Sequence, residues 1–425
     1  MVSASFYNLY LPFGRGGFDW VVANTASGAI LLADGELKRL LEVSDPKRFE
    51  TLKEQAPDVH RYLVSRGMLV EDGLDELGRI RIWFQRTKFG YQHMNLTVLP
   101  TVGCNLGCIY CYETPSPGVM SPEVADRLTS FVEAHVPPLE SLRVVWYGGE
   151  PLIGAKALER VSRKLIDLCD EHGIDYHAAI VTNGTLLSEK IVDLLLRCRV
   201  GHAQITLDGP AEVHDSRRPF RRTGGGTFER ILKGLERLKG RIPASIRINV
   251  DRSNVDRYRE LVDLLAGRGL LGVESGNTVA LGLVKDWTDE VGVAREQLLS
   301  LVEFEHHLAE LQQALAGEGL QEGGLAEADF RPSPPCAAVN VLNYVVLPDG
   351  SLRKCWIHAT LPDTEVGDLE TGLDLSRPAA VEWTAFDPTR DPECAACRLL
   401  PVCAGGCPYE RLTGREEKEI HCEYR

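Results

Sequence analysis

The sequence predicts an α/β protein built around a partial (β/α)6 barrel, with a small α+β domain before it and a cysteine-rich domain after it. Two observations lead to this prediction. Between residues 93 and 310, six short apolar runs alternate with longer helix-like segments, and each segment is long enough for the crossover that joins parallel strands. Ten of the twelve cysteines also fall into two patterned groups, at 104–111 and 336–422.

Residues 1–90 form the predicted α+β domain. The alternating runs FYNLYLPF and DWVVANT indicate short strands. GELKRLLE and RFETLKEQAPDVHRYLVSRGMLV carry apolar residues at helical spacing. We therefore expect a small sheet followed by helices.

The region 93–310 is the predicted barrel. Its strand candidates are MNLTVLP (94–100), LRVVWYGG (142–149), HAAIVTNG (177–184), HAQITLDG (202–209), SIRINVDR (245–252) and NTVALGLV (277–284). Helix starts are indicated by Ser121-Pro122, Ser188-Glu189, Thr227 and Asn254. In barrels of this kind, chemistry collects at the carboxyl ends of the strands. The motifs CNLGC, GGE, TNG and LDGP follow the first four strands in turn.

The remaining chain divides into a linker and a cysteine-rich domain. A charged, leucine-rich helix is predicted at 292–316, and residues 311–335 are assigned to a linker because they are rich in Gly, Glu and Pro. Residues 336–425 show little regular periodicity and many cysteines. A domain this poor in core residues usually needs metal to stabilise it.

Composition restricts the possible functions and the cellular location. The net charge of −14 argues against nucleic acid as the main partner. No apolar run approaches the roughly 18 residues that span a bilayer, and the first residues lack the layout of a secretion signal. We therefore expect a cytoplasmic protein without a membrane partner. In that reducing compartment, clustered cysteines indicate metal binding or catalysis, whereas the isolated Cys169 and Cys198 are expected to be buried apolar side chains.

Cys104, Cys108 and Cys111 form the spacing C-x3-C-x2-C directly after the first barrel strand. A 4Fe-4S cluster normally takes four cysteine thiolates. Three leave one iron without a protein ligand, and an open position on a metal serves to bind substrate or cofactor. Tyr110, beside the last cysteine, is placed to lie over a bound planar ring.

The stretch CNLGCIYC, together with GGEP (148–151), resembles the radical S-adenosylmethionine (SAM) superfamily. The resemblance implies that Cys104, Cys108 and Cys111 hold a catalytic 4Fe-4S cluster whose open iron binds the amino and carboxylate groups of SAM. Reductive cleavage of SAM then gives a 5′-deoxyadenosyl radical, which abstracts hydrogen from the substrate.

The same resemblance implies which residues contact SAM. Gly148, Gly149 and Glu150 resemble the loop that receives the methionine amino group. Thr206 and Arg218, within ITLDGPAEVHDSRR, fall where related maturases use Ser and Arg on the ribose and the carboxylate. Threonine in place of serine keeps the hydroxyl.

The C-terminal cysteines resemble the seven-cysteine SPASM domain, which carries two auxiliary 4Fe-4S clusters in its relatives. The resemblance assigns Cys336, Cys355 and Cys407 to the first auxiliary cluster, and Cys394, Cys397, Cys403 and Cys422 to the second. Three 4Fe-4S clusters are thus expected in all. The first auxiliary cluster has either an open iron or a ligand other than cysteine; His358 is one candidate, and a surface loop histidine is the alternative. A zinc ribbon is the competing interpretation of CAAC…CAGGC.

Residues 1–90 more loosely resemble the winged-helix domain with which some peptide-modifying members hold a leader peptide. A structural cap on the barrel is the alternative.

Relatives with a SPASM domain mostly modify peptides or proteins. Those that mature sulfatases place a catalytic Asp directly after the second SPASM cysteine, whereas Trp356 follows Cys355 here. The sequence therefore predicts a maturase that installs a thioether or carbon–carbon crosslink in a ribosomally made peptide. Its expected partners are a precursor peptide with a leader and an electron donor, either a reductase or a flavodoxin or ferredoxin.

Two other functions stay open. One is formylglycine formation in a sulfatase, and the other is a non-enzymatic iron–sulfur or zinc protein. No general base is assigned. Asp208, Asp251 and Glu274 lie at or near predicted strand ends, where cofactor binding or a structural ion pair is expected for each.

Overall fold

The computed structural model describes residues 1–15, 18–288, 291–317 and 332–414. Its contacts divide the chain into two compact units. The first contains the described parts of residues 1–90, 327–341 and 383–425, and the second those of 91–326 and 342–382. Among the described residues, none of the helices has both the length and the apolar character needed to cross a membrane.

The N-terminal part of the first unit is a small sheet packed against helices. Its strands are β1 (Val2–Ala4), β2 (Asn8–Arg15), β3 (Phe18–Asn24), β4 (Ala29–Ala33) and β5 (Leu69–Glu71). Its helices are α1 (Gly35–Val43), α2 (Pro46–Gln55), α3 (Pro57–Ser65) and α4 (Glu76–Lys88). β2, β3 and β4 form one antiparallel sheet, and β1 pairs with β5. The two strands and the helices predicted for this region are confirmed, and α4 was not predicted.

Helix α4 packs onto the C-terminal part of the same unit. Its buried Lys88 donates from Nζ to the carbonyl of Phe386 at 2.6 Å, and Gln85 donates to Asp387 at 2.9 Å. Phe84 lies in a small apolar cluster with Val339 and Phe386. The N-terminal and C-terminal segments of the chain therefore share one core.

Six parallel strands form the centre of the second unit, as predicted. They are β6 (His93–Val98), β7 (Ser141–Trp146), β8 (Asp175–Thr182), β9 (Val200–Thr206), β10 (Ala244–Val250) and β11 (Thr278–Leu283). They pair in chain order from β6 to β11, and every pair is parallel. The connecting helices are α5 (Pro122–Glu133), α6 (Ala155–His172), α7 (Glu189–Arg197), α8 (Ala211–Arg217), α9 (Phe228–Leu238), α10 (Tyr258–Gly267) and α11 (Leu301–Gly317).

The predicted helix starts are confirmed, although they differ in chemistry. The hydroxyls of Ser121 and Ser188 accept from backbone N–H groups of α5 and α7, which satisfies donors that the helix itself leaves free. Thr227 precedes α9, but its hydroxyl donates instead to the carbonyl of Arg218. Asn254 precedes a short 3-10 turn that leads into α10.

The helix predicted from residue 292 begins only at Leu301, so this prediction was wrong at its start. The reason is a capping box. The Ser300 hydroxyl accepts from the backbone N–H of Glu303 at 3.3 Å, and the Glu303 carboxylate accepts from the Ser300 N–H at 2.8 Å. Residues 295–297 form a separate 3-10 turn.

The sheet continues into the segment that follows the predicted linker. β12 (Tyr344–Val346) pairs in parallel with β6, and β13 (Ser351–Arg353), β14 (Gly367–Asp368) and β15 (Gly372–Leu373) then add in antiparallel order. The result is a sheet of ten strands. Four short helices follow: α12 (Pro378–Ala385), α13 (Pro392–Ala395), α14 (Leu400–Cys403) and α15 (Pro408–Thr413).

Candidate functional site

The motifs highlighted by the sequence lie where the parallel strands end. The loop with Cys104, Cys108 and Cys111 follows β6, the Gly148–Glu150 turn follows β7, and Asn183 follows β8. The carboxyl ends of parallel strands meet at one edge of the sheet, which brings these loops together.

A second segment of the chain holds the cysteine loop in place through its backbone. The N–H of Gly107 donates to the carbonyl of Pro219 at 2.9 Å, and that of Ile109 to Arg217 at 3.0 Å. In return, the N–H of Arg221 donates to the carbonyl of Asn105 at 2.9 Å. The loop and residues 217–221 thus form a short hydrogen-bonded strip.

The three thiols are partly buried and influence one another. Burial raises the pKa of Cys104 to about 11 and that of Cys111 to about 12. Burial also raises the pKa of Cys108, and the positive charge of Arg218 opposes this shift. Cys108 contributes to the raised pKa of both other thiols, as expected for neighbours. Because a metal binds the thiolate, metal binding would release protons from these groups.

The two glycines of the turn after β7 make room for the cysteine loop. A Cβ on Gly148 would lie 2.3 Å from the carbonyl oxygen of Thr101, and its φ of +117° disfavours any side chain. A Cβ on Gly149 would lie 2.5 Å from the carbonyl oxygens of Val102 and Gly103. Close backbone approach explains why the turn needs glycine at both positions.

Glu150 is fully buried and hydrogen-bonded inside the protein. Its carboxylate accepts from the Thr182 hydroxyl at 2.7 Å, the Asn183 N–H at 2.7 Å and the Leu152 N–H at 3.1 Å. Its own N–H donates to the carbonyl of Gly103 at 2.9 Å. Glu150 therefore joins the turn after β7 to the end of β8 and to the cysteine loop.

Tyr110 and Arg218, which the sequence assigns separately to a SAM site, are hydrogen-bonded to each other. The hydroxyl of Tyr110 donates to Asp208 at 2.6 Å and accepts from Arg218 and from Asn249. The Nε of Arg218 is buried without a hydrogen-bond partner. Thr206 is buried at the end of β9.

Asp208 and Asp251 form buried ion pairs with one arginine. Nη1 of Arg217 lies 2.7 Å from Asp251 Oδ2, and its Nε lies 3.4 Å from Asp208 Oδ2. Of the two roles expected for each aspartate, cofactor binding or a structural ion pair, the structure shows the ion pair. Glu274 is exposed in a turn before β11.

Four site residues were missed by the sequence reasoning. Asn183 donates toward Cys104 Sγ at 3.9 Å, Asn249 reaches the Tyr110 hydroxyl, and Arg217 anchors the aspartates. Glu113 is buried, and burial alone raises the pKa of its carboxyl to about 7. The TNG motif at a strand end was a usable signal for Asn183, whereas the others require knowledge of the packing.

The C-terminal cysteines lie on both units. Cys394, Cys397 and Cys403 sit on or beside α13 and α14, and Arg411 donates to Cys394 Sγ at 3.1 Å. Cys336 and Cys407 also belong to the first unit, and Cys336 contributes to the raised pKa of Cys407. Cys355 belongs to the second unit, and Cys422 lies outside the described residues.

His358 is buried, so the alternative of a surface loop histidine was wrong. The 3-10 turn Trp356–Thr360 carries it inward, and only 5% of its surface is exposed. Burial, with a smaller contribution from Arg353, lowers the pKa of His358 to about 4. Cys169 and Cys198 are fully buried, as predicted.

The donor set suits an iron–sulfur cluster and SAM. Three neighbouring thiols are the ligand chemistry of a 4Fe-4S cluster, and the buried Arg218 Nε lacks the acceptor that a carboxylate or hydroxyl would supply. Among the described residues, no three His, Cys, Asp or Glu side chains are arranged to hold a single metal ion. A cluster differs from a single ion because it presents a separate iron to each thiolate.

Comparison with known proteins identifies the central domain. Residues 98–265 match the radical SAM superfamily. The chain is 26% identical over 355 residues to an AdoMet-dependent heme synthase of Methanosarcina barkeri, covering 76% of this chain and 95% of that protein. It is 24% identical over 338 residues to a serine-type anaerobic sulfatase-maturating enzyme of Klebsiella aerogenes, covering 72% and 77%.

Among solved structures, the fold resembles that of SuiB from Streptococcus suis bound to the precursor peptide SuiA. The TM-score is 0.53 at 14% identity, over 98% of this chain and 97% of that one. The match of residues 98–265 to the radical SAM superfamily implies SAM and a 4Fe-4S cluster as cofactors. The matched residues 98–265 are built on the parallel sheet that carries the cysteine loop, so this part of the chain is a radical SAM domain.

Proposed function

We propose that this enzyme is a peptide maturase that installs a thioether or carbon–carbon crosslink in a ribosomally made precursor. The observation that carries the proposal is the extent of the likeness to SuiB. It reaches over 98% of the chain, far beyond the matched radical SAM domain. SuiB is a protein that binds a precursor peptide, so a fold shared along the whole chain supports a peptide substrate here.

We assign to each part of the chain the function expected from the sequence. Residues 1–90 are a winged-helix-like domain that holds the leader, residues 93–310 are the radical SAM core, and residues 311–335 are a linker. Residues 336–425 are the SPASM domain. The core that the N-terminal and C-terminal segments share through α4 supports a structural role for residues 1–90 as well.

The residues proposed to hold the cofactors lie at the ends of the strands. Cys104, Cys108 and Cys111 would bind the catalytic cluster, and Arg218 and Thr206 would bind SAM. Together, the reduced cluster and SAM supply a 5′-deoxyadenosyl radical that removes a hydrogen atom from the substrate. The protein's own residues position the cysteine loop and the proposed SAM site. Gly148 and Gly149 let the turn approach the cysteine loop, and Tyr110 fixes the Arg218 guanidinium.

Two auxiliary clusters are proposed for the C-terminal cysteines. Cys336, Cys355 and Cys407 would bind one, and Cys394, Cys397, Cys403 and Cys422 the other. Formation of a crosslink removes two hydrogen atoms from the peptide. One leaves as the abstracted atom and the other as a proton and an electron, so the enzyme needs an electron acceptor. A reductase, flavodoxin or ferredoxin would supply the electron that starts each cycle.

Formylglycine formation is the second candidate, favoured by the likeness to the sulfatase-maturating enzyme. The side chain after Cys355 argues against it. Trp356 packs on Tyr147 with ring centroids 4.6 Å apart, and an indole offers no carboxylate to take a proton from a serine or cysteine of a sulfatase.

Anaerobic reconstitution tests the proposal. We expect about twelve irons per chain, four for each cluster, and 5′-deoxyadenosine from SAM with a reductant. A precursor encoded beside the gene should become lighter by two hydrogen atoms. Changing Cys104, Cys108 and Cys111 to Ala should abolish cleavage, whereas Cys169→Ala should leave it intact. Tightly bound zinc, iron without cleavage, or conversion of a sulfatase peptide to formylglycine would contradict the proposal.

A further inference from the structure

Glu113 is a buried carboxylate that the proposed function does not use. It is 6% exposed, and its Oε1 is buried without a hydrogen-bond partner. A buried polar atom without a partner costs free energy unless something supplies one. Glu113 therefore indicates a ligand that brings a donor to this point.

Three aromatic side chains form the surroundings of this carboxylate. Each one is next to a proposed cofactor residue in sequence: Tyr112 follows Cys111, Tyr147 precedes Gly148, and Trp356 follows Cys355. The hydroxyls of Tyr112 and Tyr147 are hydrogen-bonded to each other, and the Tyr147 and Trp356 rings lie 4.6 Å apart. Glu113 directly follows Tyr112 in the chain, and the next residue, Thr114, donates from its N–H to the Thr360 hydroxyl at 3.3 Å, in the turn that begins with Trp356.

Among the described residues, no cation is hydrogen-bonded to Oε1 of Glu113. The neighbouring cation Lys354 is directed elsewhere, since its Nζ donates to the Asn343 carbonyl at 3.0 Å and lies over the Tyr344 ring.

Trp356 is the most exposed member of the aromatic group. Trp356 is 38% exposed, whereas Glu113 lies deeper. A ligand that enters over the indole would meet aromatic faces first and the carboxylate last. A long side chain with an apolar stem and a charged tip matches that order, because aromatic faces attract cations and a carboxylate pairs with them.

We propose that Glu113, Tyr112, Tyr147 and Trp356 form a binding site for a lysine or arginine side chain of the substrate peptide. The inference rests on the proposed function in taking the substrate to be a peptide. In it, Glu113 and Trp356 select the residue beside the reacting position, and they are specificity-determining residues rather than catalytic ones.

Binding of small probes to the reconstituted holoenzyme tests the site without turnover. The probe is N-acetyl-lysine methylamide, and its neutral matches are the Nε-acetylated form and N-acetyl-norleucine methylamide. Isothermal titration calorimetry should show tighter binding of the lysine probe. Glu113→Gln keeps the shape and removes the charge, and should weaken that binding about tenfold or more, as for a charge-assisted hydrogen bond.

Two further variants complete the test. Trp356→Leu should weaken the lysine probe about two- to fivefold, and Trp356→Phe should restore most of the loss. Glu171→Gln removes the same charge at an exposed position and should change nothing. Iron content and the thermal midpoint of each variant are measured alongside, so that a folding defect is recognised.

Equal binding of the lysine probe to wild type and Glu113→Gln would overturn the inference. So would equal affinity for the norleucine probe, or no measurable binding to the wild type. Precursor modification is followed separately by mass. If the precursor is modified but the enzyme does not prefer the lysine probe, only the proposed binding site is contradicted. If the enzyme prefers the lysine probe but does not modify the precursor, only the proposed function is contradicted.

Discussion

Nη1 of Arg217 lies 2.7 Å from Oδ2 of Asp251, and both side chains are almost completely buried. The same guanidinium reaches Asp208 and donates to the Ser253 hydroxyl at 2.9 Å. Arg217 thus ties the end of α8 to the loops that follow β9 and β10. Its neighbour Arg218 belongs to the proposed SAM site, so this buried pair fixes the backbone from which the site is built.

Asp251→Asn should destabilise the enzyme strongly. It removes one partner of a buried ion pair and leaves the Arg217 charge without full compensation, which typically costs about 3 kcal/mol or more. Urea unfolding under anaerobic conditions measures the loss. Asp170→Asn is the matched control, since Asp170 pairs with Arg199 through two short contacts in an exposed position. Equal losses for the two variants would show that burial does not govern the Asp251 effect.

Gly149→Ala should disturb the cysteine loop. The new Cβ would lie 2.5 Å from two carbonyl oxygens just before Cys104, and neither backbone group can move without shifting the loop. We expect lower iron content and weaker SAM binding, measured by iron assay and equilibrium dialysis. Gly201→Ala is the control, because nothing lies within 4 Å of its Cβ position. Unchanged iron and SAM binding in Gly149→Ala would contradict the close approach.

Tyr110→Phe should weaken SAM binding with little effect on the fold of the strands. The hydroxyl serves Asp208, Arg218 and Asn249 together. Without it, buried polar groups lose a partner, and we expect the dissociation constant for SAM to rise about tenfold. The exposed Tyr62→Phe serves as control. A normal SAM affinity in Tyr110→Phe would place the cofactor elsewhere.

His214 should make stability fall in mild acid. Burial, aided by Arg218 and Arg217, lowers its pKa well below 6.5, and its Nδ1 accepts from the Asp208 N–H. Below about pH 6.5, the unfolded chain binds a proton that the folded chain excludes, so stability falls by up to about 1.4 kcal/mol per pH unit. Above that pH, His214 does not contribute to the pH dependence of the free energy of unfolding.

The measurement compares the pH dependence of unfolding in wild type, His214→Gln and His172→Gln. His214→Gln should reduce the slope of the free energy of unfolding against pH by the amount that corresponds to uptake of about one proton. His172→Gln is the matched control, because it makes the same substitution at an exposed position. An unchanged slope in His214→Gln would mean that the imidazole is protonated in the folded state.

The architecture of the core was predictable because its signal is repetitive. Each of the six parallel strands was found within about three residues of its observed bounds, since apolar runs and polar helix starts mark both ends. The start of α11 was missed because one local contact decided it. The capping box of Ser300 and Glu303 outweighed an apolar pattern that continued upstream.

The candidate site was predictable only in its sequence motifs. Spacing identified the cysteines, and a strand end identified the glycine turn. Asp208 and Asp251, the partners of Arg217, lie 9 and 34 residues away along the chain. No spacing in the sequence indicates that these side chains are in contact. The burial of His358 and Glu113 is likewise not indicated by any spacing in the sequence.

The strip between the cysteine loop and residues 217–221 has a thermodynamic consequence. Three backbone hydrogen bonds join the segment that would hold the cluster to the segment that carries Arg218. If ordering one segment orders the other, the two cofactors cannot bind independently. Linkage then requires reciprocity: the factor by which the cluster raises the affinity for SAM equals the factor by which SAM protects the cluster against loss.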